Sequence, residues 1–128
     1  MQILIADDRE AIRKQVSLIL TSVPNLEVCA EAANGKEAVE KTRELNPDLV
    51  ILDITMPILN GLDAARMIKG FAPDIPILVL TVHKSRQLMQ EAQKIGVQGY
   101  VTKAEASQTL LRAVEAVLQK RTYFPSEF

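Results

Sequence analysis

The chain has 128 residues, the length of one domain, and 48% of them are hydrophobic, enough to bury a single core. Its net charge of -1 gives no electrostatic draw toward nucleic acid or an anionic membrane. No apolar run is long enough to span a bilayer and no basic leader precedes one, so the chain is expected in the cytoplasm, without membrane contact. Cys29 is the one cysteine, which excludes an internal disulfide and a cysteine metal cluster; it is expected to pack as a small core residue.

Residues 2–6 read as a first strand, and a helix then begins at Asp8 or Arg9. Its apolar positions Ile12, Val16, Ile19, Leu20 and Val23 share one helical face, and Pro24-Asn25 ends it. Residues 26–32 alternate loosely and carry charge, as an edge strand does. Asn34 followed by Glu37 caps a second helix, with Ala38, Thr42 and Leu45 on its inner side and Asn46-Pro47 stopping it. The run Leu49-Val50-Ile51-Leu52 has the continuous apolar character of a strand buried on both faces, and Pro57 holds the loop beyond it. Asn60-Gly61-Leu62-Asp63 opens a third helix through Ile68, with Gly70 expected as its C-terminal cap. Pro73 and Pro76 bracket the approach to a fourth strand, Ile75 to Leu80. A fourth helix with Leu88, Ala92 and Ile95 inward ends at Gly96, and Gly99 precedes a fifth strand. A last helix starts near Ser107, with Leu110, Val114, Val117 and Leu118 inward. Five βα repeats in succession predict a parallel sheet with helices on both faces and right-handed crossovers.

Four of these strands deliver a polar residue at the same end. The first runs into Asp7-Asp8, the third into Asp53, the fourth into Thr81 and the fifth into Lys103. In a parallel sheet those ends lie along one edge, where open α/β sheets bind their ligands. Two carboxylates about 4 Å apart repel by roughly 4 kcal/mol at an effective dielectric near 20. A bound cation relieves this, and an all-oxygen donor set selects magnesium or manganese over zinc. A carboxylate is also a nucleophile for phosphoryl transfer, with an ammonium and a hydroxyl as fitting companions. A glycine-rich phosphate loop is absent from the sequence, which argues against a nucleotide donor.

Asp7-Asp8, the stretch from Asp53 through Gly61, Thr81, and Gly99-Tyr100-Val101-Thr102-Lys103 follow one another over essentially the whole chain. In that order they resemble the receiver domain of two-component response regulators. Ala33 to Ala38, Gly99 to Lys103 and the ending Tyr123-Phe124-Pro125 are most similar to the NarL/FixJ type. The resemblance implies a flavodoxin-like (βα)5 fold with strand order 2-1-3-4-5. It implies that Asp53 accepts a phosphoryl group from a sensor histidine kinase or a small donor such as acetyl phosphate. It further implies Mg²⁺ held by Asp8, Asp53 and the backbone carbonyl of Thr55, with Asp7 acting through water. Lys103 and Thr81 would contact the phosphoryl group, and Tyr100 would turn inward as Thr81 is drawn toward it. Tyr100 read without the resemblance is a half-buried strand aromatic with its hydroxyl in water. Thr55 and His83 match two variable positions that tune dephosphorylation in the family; read without it, His83 is a solvent-exposed residue leading into the fourth helix. Lys84 and Arg86 read as solvated charges.

Such a domain is a switch rather than an enzyme, catalysing only its own phosphorylation and dephosphorylation, and it is expected to self-associate once phosphorylated. Its relatives usually continue into a LuxR-type helix-turn-helix domain. The receiver is therefore read as residues 1–121, with 122–128 as the start of a linker or tail and the chain as a piece of a longer regulator. Direct contact with DNA is not expected of this part. An aspartate-nucleophile phosphatase is disfavoured because Asp7-Asp8-Arg9 is not an Asp-x-Asp motif and no cap domain fits in the length. A receiver that works unphosphorylated would be expected to lack Asp53, Lys103 or an acidic residue, and all are present.

Overall fold

The computed structural model describes residues 1–126 and 128. Strands β1 (Gln2–Ala6), β2 (Glu27–Ala32), β3 (Leu49–Leu52), β4 (Ile77–Thr81) and β5 (Gly99–Thr102) form one parallel sheet. Its order is β2-β1-β3-β4-β5, as the resemblance implied, and β2 is an edge strand as its charge predicted. Helices α1 (Glu10–Thr21), α2 (Gly35–Leu45), α3 (Gly61–Phe71), α4 (Arg86–Ile95) and α5 (Ala106–Leu118) alternate with the strands.

The two-residue period of a strand explains the two-sided core. Leu4, Val50, Leu52, Val79 and Tyr100 point to the face covered by α2, α3 and α4. Ile3, Ile5, Leu49, Ile51, Leu78 and Val101 point to the face covered by α1 and α5. β1 meets β3 with Ala6 beside Leu52, and β4 meets β5 with Thr81 beside Thr102. This register brings Asp7, Asp53, Thr81 and Lys103 to the same rim.

The predicted helix starts hold. Asn34 and Asn60 accept the Glu37 and Asp63 N–H groups at 2.8 and 2.9 Å. Gly96 closes α4 in the left-handed region, φ 106. Two details differ. Leu45 is exposed, and Val39 takes the inner position beside Ala38 and Thr42, because the helix turns Leu45 outward in its last turn. Gly70 does not cap α3, which runs on to Phe71 and is closed by the Ala72 N–H on the Ile68 carbonyl at 2.7 Å. Phe71 packs against the core and extends the helix past the glycine. The residues read as linker or tail also have a place: Tyr123 makes a parallel bridge to Gly99 on the free edge of β5.

The loop between β3 and α3 carries strain. Leu59 N–H donates to the Pro57 carbonyl at 2.7 Å, a γ-turn centred on Ile58 with φ 71. A β-branched residue is disfavoured there, and Ile58 is 76% exposed, so it recovers little by burial. Ile58→Gly should therefore stabilise the fold by about 1 kcal/mol, as roughly 2 kcal/mol of released strain outweighs about 1 kcal/mol of added chain entropy. Urea unfolding of the two chains checks this, and a lower midpoint for the glycine variant would contradict it.

Candidate functional site

Asp7 and Asp53 are the first residues past two adjacent strands. The Asp7 N–H donates to the Ala32 carbonyl and the Asp53 N–H to the Ala6 carbonyl, each at 3.0 Å. The ladder so fixes both backbones, and both residues are nearly buried, at 3% and 4% exposure. Each carboxylate has one oxygen held by backbone: Asp7 Oδ1 accepts the Arg9 N–H at 2.9 Å and Asp53 Oδ1 accepts the Ile54 N–H at 2.7 Å. The other oxygens meet one ammonium. Lys103 Nζ lies 2.8 Å from Asp7 Oδ2 and 3.0 Å from Asp53 Oδ2. Burial alone would lower the Lys103 pKa, but its hydrogen bonds to Asp7 and Asp53 and their charges outweigh that and hold it above the ordinary lysine value.

Asp8 is exposed, yet one of its carboxylate oxygens lies within 4.8 Å of one from each of Asp7 and Asp53. Three carboxylates against one ammonium leave two formal negative charges on a set of hard oxygen donors. That composition fits a small hard dication such as Mg²⁺.

Thr81 is fully buried at the end of β4, the strand between β3 and β5, and its Oγ1 accepts the His83 N–H at 3.3 Å. Thr55 is exposed, and its Oγ1 lies 2.8 Å from His83 Nε2, a hydrogen bond whose direction follows the imidazole tautomer. His83 is thus half-buried and tied across the rim rather than free in solvent. Tyr100 is not the half-exposed aromatic of the plain strand reading. It is fully buried, and its hydroxyl donates to the His83 carbonyl at 2.7 Å. Burial, with the Asp53 charge second, pushes its pKa up to about 12. Lys84 and Arg86 are exposed, as expected of solvated charges.

The structure therefore joins Asp7 and Asp53 directly through Lys103, brings Asp8 within 4.8 Å of both carboxylates, sets Thr81 on the neighbouring strand end, and links Thr55 to Tyr100 through His83. Sequence reasoning missed two contributors. Arg13 donates to the Asp7 carbonyl at 2.7 Å and to Glu31 at 2.8 Å, clamping the β1–α1 loop to β2. The signal was a charged residue at helical spacing from Val16 and Leu20, on the inner face of α1. Gly61 lets α3 start against the strand end. A Cβ there would stand 1.9 Å from the Asp53 carbonyl oxygen and 2.9 Å from Ile54 Cα, so any other residue would push the backbone around Asp53 aside.

Residues 3–115 match the family described as the response regulator receiver domain. The chain is 36% identical over 127 residues to the transcriptional regulatory protein LnrK of Bacillus subtilis, covering 99% of this chain and 58% of that protein. It is 40% identical over 124 residues to the oxygen regulatory protein NreC of Staphylococcus epidermidis, covering 96% and 57%. A crystal structure of a LuxR-family two-component response regulator from Aurantimonas sp. SI85-9A1 is similar at 34% identity and a TM-score of 0.92, over 95% of this chain and 87% of that one. The chain spans about half the length of the curated relatives it matches. With the acid cluster, its lysine and the 2-1-3-4-5 sheet on the same chain, the protein belongs to the response regulator receiver domain family.

Proposed function

We propose that this receiver domain is a phosphorylation-operated switch in which Asp53 takes a phosphoryl group from the phosphohistidine of a sensor histidine kinase, or from acetyl phosphate. The observation that carries this reading is the single ammonium of Lys103, bound at once by Asp53 and Asp7. An Asp53 carboxylate oxygen attacks phosphorus; the new P–O bond forms as the phosphohistidine P–N bond breaks with the electron pair leaving on the imidazole, or as the acetyl phosphate P–O bond breaks with the pair leaving on acetate. Negative charge spreads over the equatorial oxygens, and Lys103 is a preset positive group to meet it. Thr81 offers a hydroxyl from the strand between Asp53 and Lys103. Asp8, Asp53 and the Thr55 carbonyl would hold Mg²⁺, with Asp7 acting through water; when bound, the ion neutralises phosphoryl charge and orients its oxygens.

In the same proposal, the phosphoryl group draws Thr81 inward and favours the buried Tyr100 ring, which repacks the face of α4, β5 and α5 and promotes self-association. The chain catalyses its own phosphorylation and dephosphorylation and no other reaction. Relatives named as transcriptional regulators, about twice as long, support an output on DNA exerted by a further domain. The receiver would then be residues 1–121, with 122–128 opening the connection. Its cytoplasmic place rests on the family; among the described residues no helix is long and apolar enough to cross a membrane.

Asp53→Asn should abolish the shifted band in phosphate-affinity electrophoresis after acetyl phosphate treatment; a surviving band would move the acceptor elsewhere. Asp8→Ala should weaken Mg²⁺ binding at least about tenfold while the amide spectrum keeps its fold pattern. Unchanged affinity would remove Asp8 from the site. Lys103→Met leaves two buried carboxylates without their cation and should lower stability by about 3 kcal/mol near neutral pH. Lys103 and Tyr100 both hold their protons more tightly folded than unfolded. Their contribution is complete below the unfolded values of 10.5 and 10.0 and is lost as pH rises through the higher folded ones. Urea midpoints of the parent chain should therefore fall above about pH 10, with a shallower fall in Lys103→Met. Parallel slopes in the two chains would sink this assignment.

A further inference from the structure

The free edge of β5 is covered by the chain's own tail. After α5 the backbone reverses at Lys120, φ 66, with the Arg121 N–H on the Ala116 carbonyl at 2.9 Å. The following segment runs parallel to β5. Tyr100 N–H donates to the Tyr123 carbonyl and Tyr123 N–H to the Gln98 carbonyl, each at 2.9 Å. Phe124 and Phe128 pack on the same core cluster as Tyr100. The Phe128 ring stands 5.6 Å from the Tyr100 ring, centroid to centroid, at a 60° tilt, which is a favourable aromatic pair.

Tyr100 is thus held from two sides. Outside are the Tyr123 backbone and the Phe128 ring. Inside is the hydrogen bond from its hydroxyl to the His83 carbonyl, at 2.7 Å. His83 in turn bonds Thr55 Oγ1 through its ring and Thr81 Oγ1 through its N–H. A continuous line of contacts therefore runs from Phe128 through Tyr100 and His83 to two residues at the rim of the acid cluster. Swinging the Tyr100 ring outward would break the hydroxyl bond and displace Phe128 together. Close-packed contacts of this kind switch between arrangements rather than deform gradually. A groove of about 420 Å³ adjoins this region between β5, α5 and the tail, lined by Tyr100, Thr102, Tyr123 and Phe124 among others. Thr102 Oγ1 is buried without a hydrogen-bond partner among the described residues.

We propose that Thr122–Ser126 together with Phe128 act as a strap on the β5 edge, and that docking of the strap and occupation of the Asp53 site strengthen each other through Tyr100 and His83. The coupling rests on the phosphoryl-switch reading above. Linkage makes it reciprocal: a ligand at Asp53 that favours the buried ring tightens the strap, and loosening the strap weakens that ligand by the same factor.

The test is a titration of the chain with beryllofluoride and Mg²⁺, followed by amide spectra and amide hydrogen exchange. The parent chain is compared with Phe128→Ala, which removes the ring contact, and Tyr123→Pro, which removes the N–H bonded to Gln98. In the parent chain, exchange at Tyr123 and Tyr100 should slow on saturation. Both variants should bind the mimic about fivefold more weakly, and Tyr100 exchange should quicken in both. Variants that lose the protection yet bind the mimic as the parent does would overturn the coupling and leave the phosphoryl site intact. A parent chain that binds no mimic would overturn the switch reading and the coupling with it, and the parent titration alone distinguishes that result.

Discussion

Lys103 ties together the strand ends that carry the acid cluster. Its ammonium reaches from the end of β5 past β4 to Asp53 after β3 and Asp7 after β1, at 3.0 and 2.8 Å. Removing an ammonium and two carboxylates from water costs several kcal/mol per ion, and their attraction offsets this only in short, hydrogen-bonded geometry. That geometry depends on register. Ala6 lies beside Leu52 and Thr81 beside Thr102, while Leu52 lies beside Val79, so β4 and β5 extend two residues past the ends of β1 and β3. A one-residue slip of β5 would exchange the faces of Tyr100 and Val101 and carry Lys103 away from both aspartates. The apolar layers on either side of the sheet are what prevent that slip.

The loops above the sheet are positioned to different degrees. Asp53 is the most constrained: its N–H sits in the ladder, one carboxylate oxygen is held by Ile54, and α3 begins against its carbonyl through Gly61. The strained γ-turn at Ile58 persists because both of its ends are held, by Asp53 below and by the Asn60 cap above. The β4–α4 loop is tied more lightly, by single hydrogen bonds that His83 makes with Thr55 through its ring, with Thr81 through its N–H and with the Tyr100 hydroxyl through its carbonyl. An acid site held by the sheet thus lies beneath a loop held by a few separate hydrogen bonds, which suits the switch proposed above, where a ligand has only to shift a balance between two packings.

The tail changes how the far side of the sheet is understood. An edge strand with unpaired backbone groups invites pairing with another chain. Here Tyr123 satisfies part of that edge and the aromatic side chains cover the Tyr100 ring. Tyr100 is therefore an interior residue contacted both by His83 at the rim of the acid site and by the C-terminal segment that follows α5.

By itself the sequence determined the alternation of strands and helices, the Asn34 and Asn60 caps, the close of α4 at Gly96, and the convergence of Asp7, Asp8, Asp53, Thr81 and Lys103. These follow from local signals: period-two and period-3.6 hydrophobicity, short polar caps, and polar residues ending apolar runs. The strand order came from resemblance to a family, because pairing between strands leaves no local trace in the order of residues. Leu45 and Gly70 misled because helix ends are set by what lies beyond them: Phe71 finds the core and Leu45 does not. Only the tertiary structure decided that Tyr100 is fully buried, that His83 joins Thr55 to Tyr100, and that Arg13 clamps the Asp7 loop. It alone seated Tyr123 and Phe128 on β5. Each of these contacts joins residues far apart in the chain or across a loop, where composition and spacing give no direction and packing alone selects the partner.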